Sequence, residues 1–200
     1  MQLIQNQSII KINQIADFAQ IHQASAVIFE RNFEFSLQNE MDTLLQEENF
    51  ADLKLTEQPE KFASFLAEKL SAYPYLQEDL LQWIYLFSEQ TESTKIKFLL
   101  SVVNSDMCRR FHTDVVDFRL LCTYAGIGTY YILPENAHFK TEEPAENSIE
   151  KLNIGDVMLF RGALSATADC PALLHKSPPA YTLGIKRLLL RLDTEANEWL

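Results

Sequence analysis

Glycine is absent from the first 125 residues; all five glycines (Gly126, Gly128, Gly155, Gly162 and Gly184) lie beyond them. Five of the seven prolines also fall in the second half. Turn-makers punctuate β structure densely, while long helices avoid them. A helical first half and a stranded second half are therefore expected, with the change near residue 92. Long apolar runs are missing too. No stretch approaches 18 apolar residues, so nothing is expected to span a membrane. The opening residues, MQLIQNQSIIKINQ, contain neither the basic nor the apolar segment of a secretory leader. Cysteine is sparse and odd in number: Cys108, Cys122 and Cys170. That excludes a full disulfide framework and points to a reducing compartment, so a cytoplasmic location is expected. Basic residues are outnumbered, 17 against 28, for a net charge of −11. Phosphate backbones need a cationic surface, so nucleic acid is not an expected partner.

What is present is a globular composition. At 47% hydrophobic, 200 residues can bury one good core. Residues 12–25 are expected to form a helix with Ile15, Phe18, Ala19 and His22 on one face. VIFERNFEF, residues 27–35, alternates Phe29, Phe33 and Phe35 with polar neighbours, as a short strand would. Ser36 can cap a helix whose face is Leu37, Met41, Leu44 and Leu45. Residues 46–60 read as a loop. Phe62, Phe65, Leu66, Leu70 and Tyr73 mark a helix that stops before Pro74. Leu76, Leu80, Trp83, Ile84 and Phe87 mark the next.

From Lys95 the period falls to two, with Ile96, Phe98, Leu100 and Val102 alternating. Asn104–Met107 reads as a turn, and Val115–Tyr124 as a long strand. Gly126 and Gly128 turn the chain into TYYIL. Residues 134–150 form a polar loop holding His138, which, like His22, is read as a surface or packing histidine. Val157–Phe160 is a strand led by a Gly-Asp turn. KRLLLRLD is the last strand, with Arg187, Leu189 and Arg191 on one face and Leu188, Leu190 and Leu192 on the other.

The stretch CRRFHTDVVDFRLLCTYAGIGT carries the chemistry. It holds a His-x-Asp pair, His112 and Asp114, and a further histidine, His175, follows 63 residues later. Two histidines and a carboxylate can cap one face of an octahedral metal and leave the other open. On a strand, residues two apart point the same way, so both can reach one ion. The pair alone is equally satisfied by a strand-end histidine hydrogen-bonded to its neighbour. Without a bulge, Val116, Phe118, Leu120, Cys122 and Tyr124 share the face of His112 and Asp114. The lone G-x-G is followed by no helix pattern, which excludes a dinucleotide-binding turn.

The order of parts resembles the 2-oxoglutarate/Fe(II)-dependent oxygenase superfamily: His-x-Asp, a strand, a G-x-G-T turn, a Gly-Asp-led strand, a distal histidine and an arginine-bearing strand. More closely, CRRFHTD, RLLCTYAGIGT, HKSPP and RLLLRLD resemble the bacterial domain-of-unknown-function 1826 family, over roughly residues 27–193. The resemblance implies an α+β fold. A mainly helical region, 1–93, would pack as part of one compact unit on a cupin-like double-stranded β-helix (jelly roll), 94–200. It implies Fe(II) held by His112, Asp114 and His175, and 2-oxoglutarate held by Arg187 through its C5 carboxylate. Thr123 or Tyr124 would contact the co-substrate. Arg191, on the same strand face, competes with Arg187 for the clamp.

The implied activity is hydroxylation of an unknown substrate, small molecule or protein. The family's association with zinc-homeostasis genes implies a second reading, a zinc buffer, sensor or hydrolase. It would use the same three residues, with Cys108 or Cys170 as a soft fourth ligand. A third reading is a metal-free jelly roll that acts as a binding module.

Overall fold

The structure, a computed structural model, describes residues 8–47, 50–103, 105, 108–137 and 144–195. Among the described residues ten strands and three α-helices carry the fold, with a nine-residue 3-10 segment at Ile15–Gln23. In chain order they are β1 (Ile9–Ile12), β2 (Ala26–Phe29), α1 (Phe35–Gln46), β3 (Leu53–Glu57), α2 (Phe62–Lys69) and α3 (Pro74–Thr91). Then come β4 (Ile96–Val103), β5 (Phe118–Ala125), β6 (Tyr130–Ile132), β7 (Ile149–Lys151), β8 (Val157–Arg161), β9 (Leu174–Lys176) and β10 (Arg187–Thr194).

A seven-stranded sheet runs β1-β2-β8-β5-β10-β4-β3, and a three-stranded sheet runs β7-β6-β9. An isolated antiparallel bridge, His112 to His175, adds the chain before β5 to the open edge of the small sheet. From β4 onward the chain crosses repeatedly between the two sheets: β4, the His112 bridge, β5, then the β6-β7 hairpin, β8, β9 and β10. That is the winding of a double-stranded β-helix. The helices pack on the far side of the large sheet. This is the α+β jelly roll that the resemblance implies.

Alternation along the strands explains the two cores. Leu120, Cys122 and Tyr124 of β5, Val157 and Leu159 of β8, and Leu188, Leu190 and Leu192 of β10 face the helices. There they meet Leu76, Leu80, Trp83, Ile84 and Phe87 of α3 and Phe62 and Leu66 of α2. The opposite face carries Ala26, Ile28, Leu121, Met158 and Phe160. Against these pack Tyr131 of β6 and the loop residues Leu152 and Leu173. Each fully buried Leu, Ile or Phe side chain contributes about 1.5–3 kcal/mol through area removed from water. Helix α3 opens on Pro74, where the missing N–H costs nothing. Glu40 of α1 accepts hydrogen bonds from the N–H groups of Tyr75 (3.2 Å) and Leu76 (2.8 Å) at that helix's start.

A buried polar knot ties α3 to the sheet. Asp79 takes a bidentate ion pair from Arg31 and hydrogen bonds from Trp83 Nε1 (3.0 Å) and Tyr124 OH (2.6 Å). Arg31 also donates to Gly155 O and lies between the rings of Phe33 and Trp83.

Several expectations need correction. The segment after β1 is a 3-10 helix, so its buried residues, Phe18 and Ile21, are three apart; Ile15 and His22 are exposed. The strand expected over 27–35 stops at Phe29, and Phe35 is exposed as the first residue of α1. Ser36 lies inside that helix and does not cap it. The expected loop at 46–60 contains β3, an edge strand paired to β4. Its alternation, Leu53 and Leu55 among polar residues, is short and only half-buried. The first half therefore supplies three strands of the large sheet as well as the helices. The turn expected at Asn104–Met107 and the loop histidine His138 lie wholly or partly outside the described residues.

Candidate metal centre

His112 and Asp114 precede β5 rather than lying on it. Residues 115–117 bend the chain, and the strand starts at Phe118. What fixes His112 is the bridge to His175. His112 N–H donates to His175 O (3.1 Å), and His175 N–H returns the bond to His112 O (3.0 Å). The two ring centroids stand 4.7 Å apart, with Asp114 alongside. Asp114 is fixed in turn by its carbonyl, which accepts from Ala163 N–H at 2.7 Å. One ligand atom from each of His112, Asp114 and His175 lies within 4.8 Å of the others.

The ring tautomers suit a metal. His112 Nδ1 faces Arg110 O at 3.0 Å, and His175 Nδ1 faces Leu173 O at 3.4 Å. Each Nδ1–H then donates to a backbone carbonyl and leaves Nε2 free as the electron-pair donor. Both Nε2 atoms point at Asp114, His112 at 3.5 Å from Oδ1 and His175 at 3.1 Å from Oδ2. Burial pushes the Asp114 carboxyl up, but hydrogen bonds from His112 and His175 and the nearby Arg119 outweigh it. The pKa falls well below the usual carboxylate range. The hydrogen bond to Asp114 raises His112 above its ordinary 6.5, against the opposing effect of burial. Asp114 Oδ2 is buried, with His175 Nε2 3.1 Å away and the Arg119 guanidinium in ion-pair contact. Two imidazole nitrogens and one carboxylate, with ligand atoms within 4.8 Å of one another, fit a divalent ion.

Arg119 was not singled out as a site residue in the sequence, yet it forms the second layer of this cluster. Its guanidinium contacts Asp114 and grips Asp193 of β10 with two nitrogens. Asp193 also stands 3.1 Å from Arg191 Nε. An arginine one strand residue beyond the bend, cross-paired with Asp193, was the available signal.

Arg187 is 1% exposed. Its Nη2 donates to Thr123 Oγ1 (3.1 Å) and Thr129 Oγ1 (3.2 Å), while Nε has no partner among the described residues. No carboxylate pairs with it among the described residues, and burial pushes its pKa down to about 10. The G-x-G-T turn builds this pocket. A Cβ at Gly126, which has φ +92°, would stand 2.4 Å from Lys186 O and 2.9 Å from Arg187 Cγ. A Cβ at Gly128 would stand 1.9 Å from Leu152 O. Only glycine lets the turn close and seat Thr129 beside Arg187. Thr129 was missed in the sequence; its signal was the threonine ending that turn.

The structure thus brings together His112, Asp114 and His175 in one cluster, and Arg187 and Thr123 in a second. Arg191 lies on the same strand face as Arg187 but is 40% exposed, away from the buried pocket. Tyr124 lies on the opposite side of the sheet from Arg187 and Thr123. The bend at 115–117 resets the alternation, so odd-numbered residues of β5 look toward the site, and Tyr124 is sealed against Asp79 among the helices. Neither Cys108, which is exposed, nor Cys170, which is buried, joins the ligand cluster.

A double-stranded β-helix with two histidines and a carboxylate gathered beside its small sheet defines a class: the chain has the fold of the 2-oxoglutarate/Fe(II) oxygenases. The rice dioxygenase for auxin oxidation superposes with a TM-score of 0.53 at 12% identity, covering 95% of this chain and 83% of that one. The Arabidopsis thaliana dioxygenase for auxin oxidation, solved with 2-oxoglutarate, gives 0.52 at 11% identity, covering 94% and 92%. A Pseudomonas putida prolyl-4-hydroxylase gives 0.50 at 12%, covering 91% and 99%. At these identities the likeness is one of fold. The chain belongs to the family described as "Protein of unknown function (DUF1826)", which matches residues 13–193. No protein of curated function matches it in sequence. Among the described residues no helix is long and apolar enough to cross a membrane.

Proposed function

We propose that this protein is an Fe(II)/2-oxoglutarate-dependent oxygenase. The observation that carries the reading is Arg187, a buried guanidinium with no carboxylate partner among the described residues, on the sheet face that looks toward the His112–Asp114–His175 cluster. A buried cation without a counter-ion is costly, and it fits a site that awaits an anionic ligand. The spacing suits a five-carbon diacid. Thr129, beside Arg187, is two residues before Tyr131, which pairs across the small sheet with His175. Strand rise and strand spacing then put the Thr129 and His175 backbones roughly 8 Å apart.

His112, Asp114 and His175 would hold the metal on one face and leave the other for ligands. Bound Fe(II) with 2-oxoglutarate supplies oxygen activation coupled to decarboxylation of the diacid to succinate and CO₂. Arg187 binds the distal carboxylate through its planar fork, and Thr123 and Thr129 hold that fork in place. Arg119 and the two backbone carbonyls behind the histidines keep the ligand set oriented before any ion arrives.

Anaerobic loading with Fe(II), 2-oxoglutarate titration through the metal-to-ligand absorption band, and succinate release on admitting oxygen together test the reading. Stoichiometric metal with no 2-oxoglutarate binding at millimolar concentration would overturn it and favour the zinc reading of the same cluster.

A further inference from the structure

The large sheet is wider than the small one that faces it. Beyond the part opposed by the small sheet lie β4 and the edge strand β3. On the site's face they carry Lys54, Thr56, Lys97 and Leu99, which with Arg191 of β10 line an open groove of about 390 Å³. The ladder fixes its geometry. Lys54, Leu99 and Arg191 form one row across three strands, and Thr56, Lys97 and Asp193 form the next. At about 4.8 Å between strands, the Lys54 and Arg191 backbones are about 10 Å apart. Lys97 stands diagonal to both, about 7–8 Å away. Three cations thus ring one apolar side chain, Leu99, in a protein of net charge −11.

Their charges are incompletely matched. Lys54 has Asp52 at 3.1 Å, and Arg191 has Asp193 at 3.1 Å. Asp193, however, is gripped through both oxygens by Arg119, and Lys97 has no ion pair among the described residues. The Lys54 side chain is 68% exposed, so its ammonium can reach a ligand. The groove also leads to the centre. The row through Lys97 and Asp193 continues to Arg119, which contacts the Asp114 carboxylate.

We propose that this groove is the substrate site, and that the substrate carries two or more carboxylates on a carbon skeleton. The assignment of an oxidised substrate rests on the oxygenase reading; the binding chemistry stands on the groove alone. Cations 7–10 Å apart around Leu99 suit dispersed anionic groups joined by apolar carbon better than one compact oxyanion, which a single arginine fork would hold. Arg191 then has a task distinct from that of Arg187: one meets the substrate, the other the co-substrate.

The test uses two probes, tricarballylate for a free polycarboxylate and a hexaglutamate peptide for an acidic protein segment. Each is titrated by calorimetry into metal-free protein and into anaerobic Fe(II) protein saturated with 2-oxoglutarate. We expect sub-millimolar binding of one probe that weakens with added salt. The double variant Lys54→Glu/Lys97→Glu should bind it at least tenfold more weakly, and Lys97→Gln should fall between. Metal stoichiometry and 2-oxoglutarate affinity should not change in either variant. Binding of tricarballylate alone assigns a free acid, and of hexaglutamate alone an acidic segment. No binding of either probe to the wild type, or equal binding by the double variant, overturns the proposal. A wild type that binds a probe but not 2-oxoglutarate keeps the groove and removes the oxygenase reading.

Discussion

Replacing Arg187 with Met should do two opposite things at once. Burial depresses the guanidinium pKa from 12.5 to about 10, which corresponds to about 3 kcal/mol by which the ligand-free protein disfavours the cation. For a base whose folded pKa lies below its unfolded one, this penalty is present in full at neutral pH. It is relieved only as pH rises through about 10. Methionine has similar length and no charge, so the ligand-free Arg187→Met protein should be as stable as wild type or more so, despite two lost hydrogen bonds from the threonines. Bound 2-oxoglutarate, in contrast, loses its partner for a buried carboxylate. Removing one member of such a pair costs about 3–5 kcal/mol, a factor of several hundred or more in the dissociation constant. Thermal unfolding of the anaerobic metal-loaded protein, with and without 2-oxoglutarate, reads both effects. Wild type should gain about 2.7 kcal/mol at a ligand concentration one hundred times its dissociation constant, and the variant should gain nothing there. A variant that binds 2-oxoglutarate within threefold of wild type would refute the clamp assignment. A ligand-free variant destabilised by more than about 2 kcal/mol would refute the unpaired-cation argument.

Other outcomes follow from the same geometry. Asp114→Ala and His175→Ala should each abolish stoichiometric divalent metal binding with the fold retained, while exposed His22→Ala changes nothing; metal analysis decides. Arg119→Gln should weaken metal binding about 10–100-fold by freeing the Asp114 carboxylate, and Arg119→Lys should restore part of it; metal titration with identical affinity in all three proteins would contradict this. Because Asp114 raises the pKa of His112, the metal-free protein draws stability from that proton below about pH 6.5 and loses it as pH rises through the raised value. Metal needs the neutral ring, so the Tm gain on adding Mn(II) should grow from about pH 6 to about pH 8, and a flat gain would count against His112 as a ligand. Tyr124→Phe should cost about 1–3 kcal/mol by removing a hydrogen bond from buried Asp79, yet leave 2-oxoglutarate affinity unchanged in a titration.

The legible parts of the sequence were those in which one residue type has one physical use. The stripes of α2 and α3, Phe62 to Tyr73 and Leu76 to Phe87, point to a single core and survive intact. Alternation on β10 separates Arg187 and Arg191 from three leucines, because a strand has only two faces. His112, Asp114 and His175 could be picked out because they supply three metal-type donors, and the structure brings them together. Failures came where local geometry resets a count. The bend at 115–117 flips β5, so extrapolation from His112 placed Tyr124 in the site and left Arg119 out. A 3-10 turn changes the period after β1. Strand β3 is an edge with one half-buried face, and two leucines are too few to announce it. Thr129 depends on a glycine turn whose closeness to Leu152 no single-strand pattern encodes.

The bridge between His112 and His175 also has a consequence in time. The ligands are separated by 63 residues of chain, and Arg187 follows 12 residues later. At a synthesis rate of about 5–20 residues per second, His112 and Asp114 emerge roughly 3–13 seconds before His175 is even made. Through that interval the nascent chain carries two of the three clustered residues, without the backbone bridge that fixes His112. The cluster exists only once β9 has reached the edge where His112 waits. Were the cluster to hold the proposed metal, its acquisition would be the last act of barrel closure, and a bound ion would mark a chain that has finished folding.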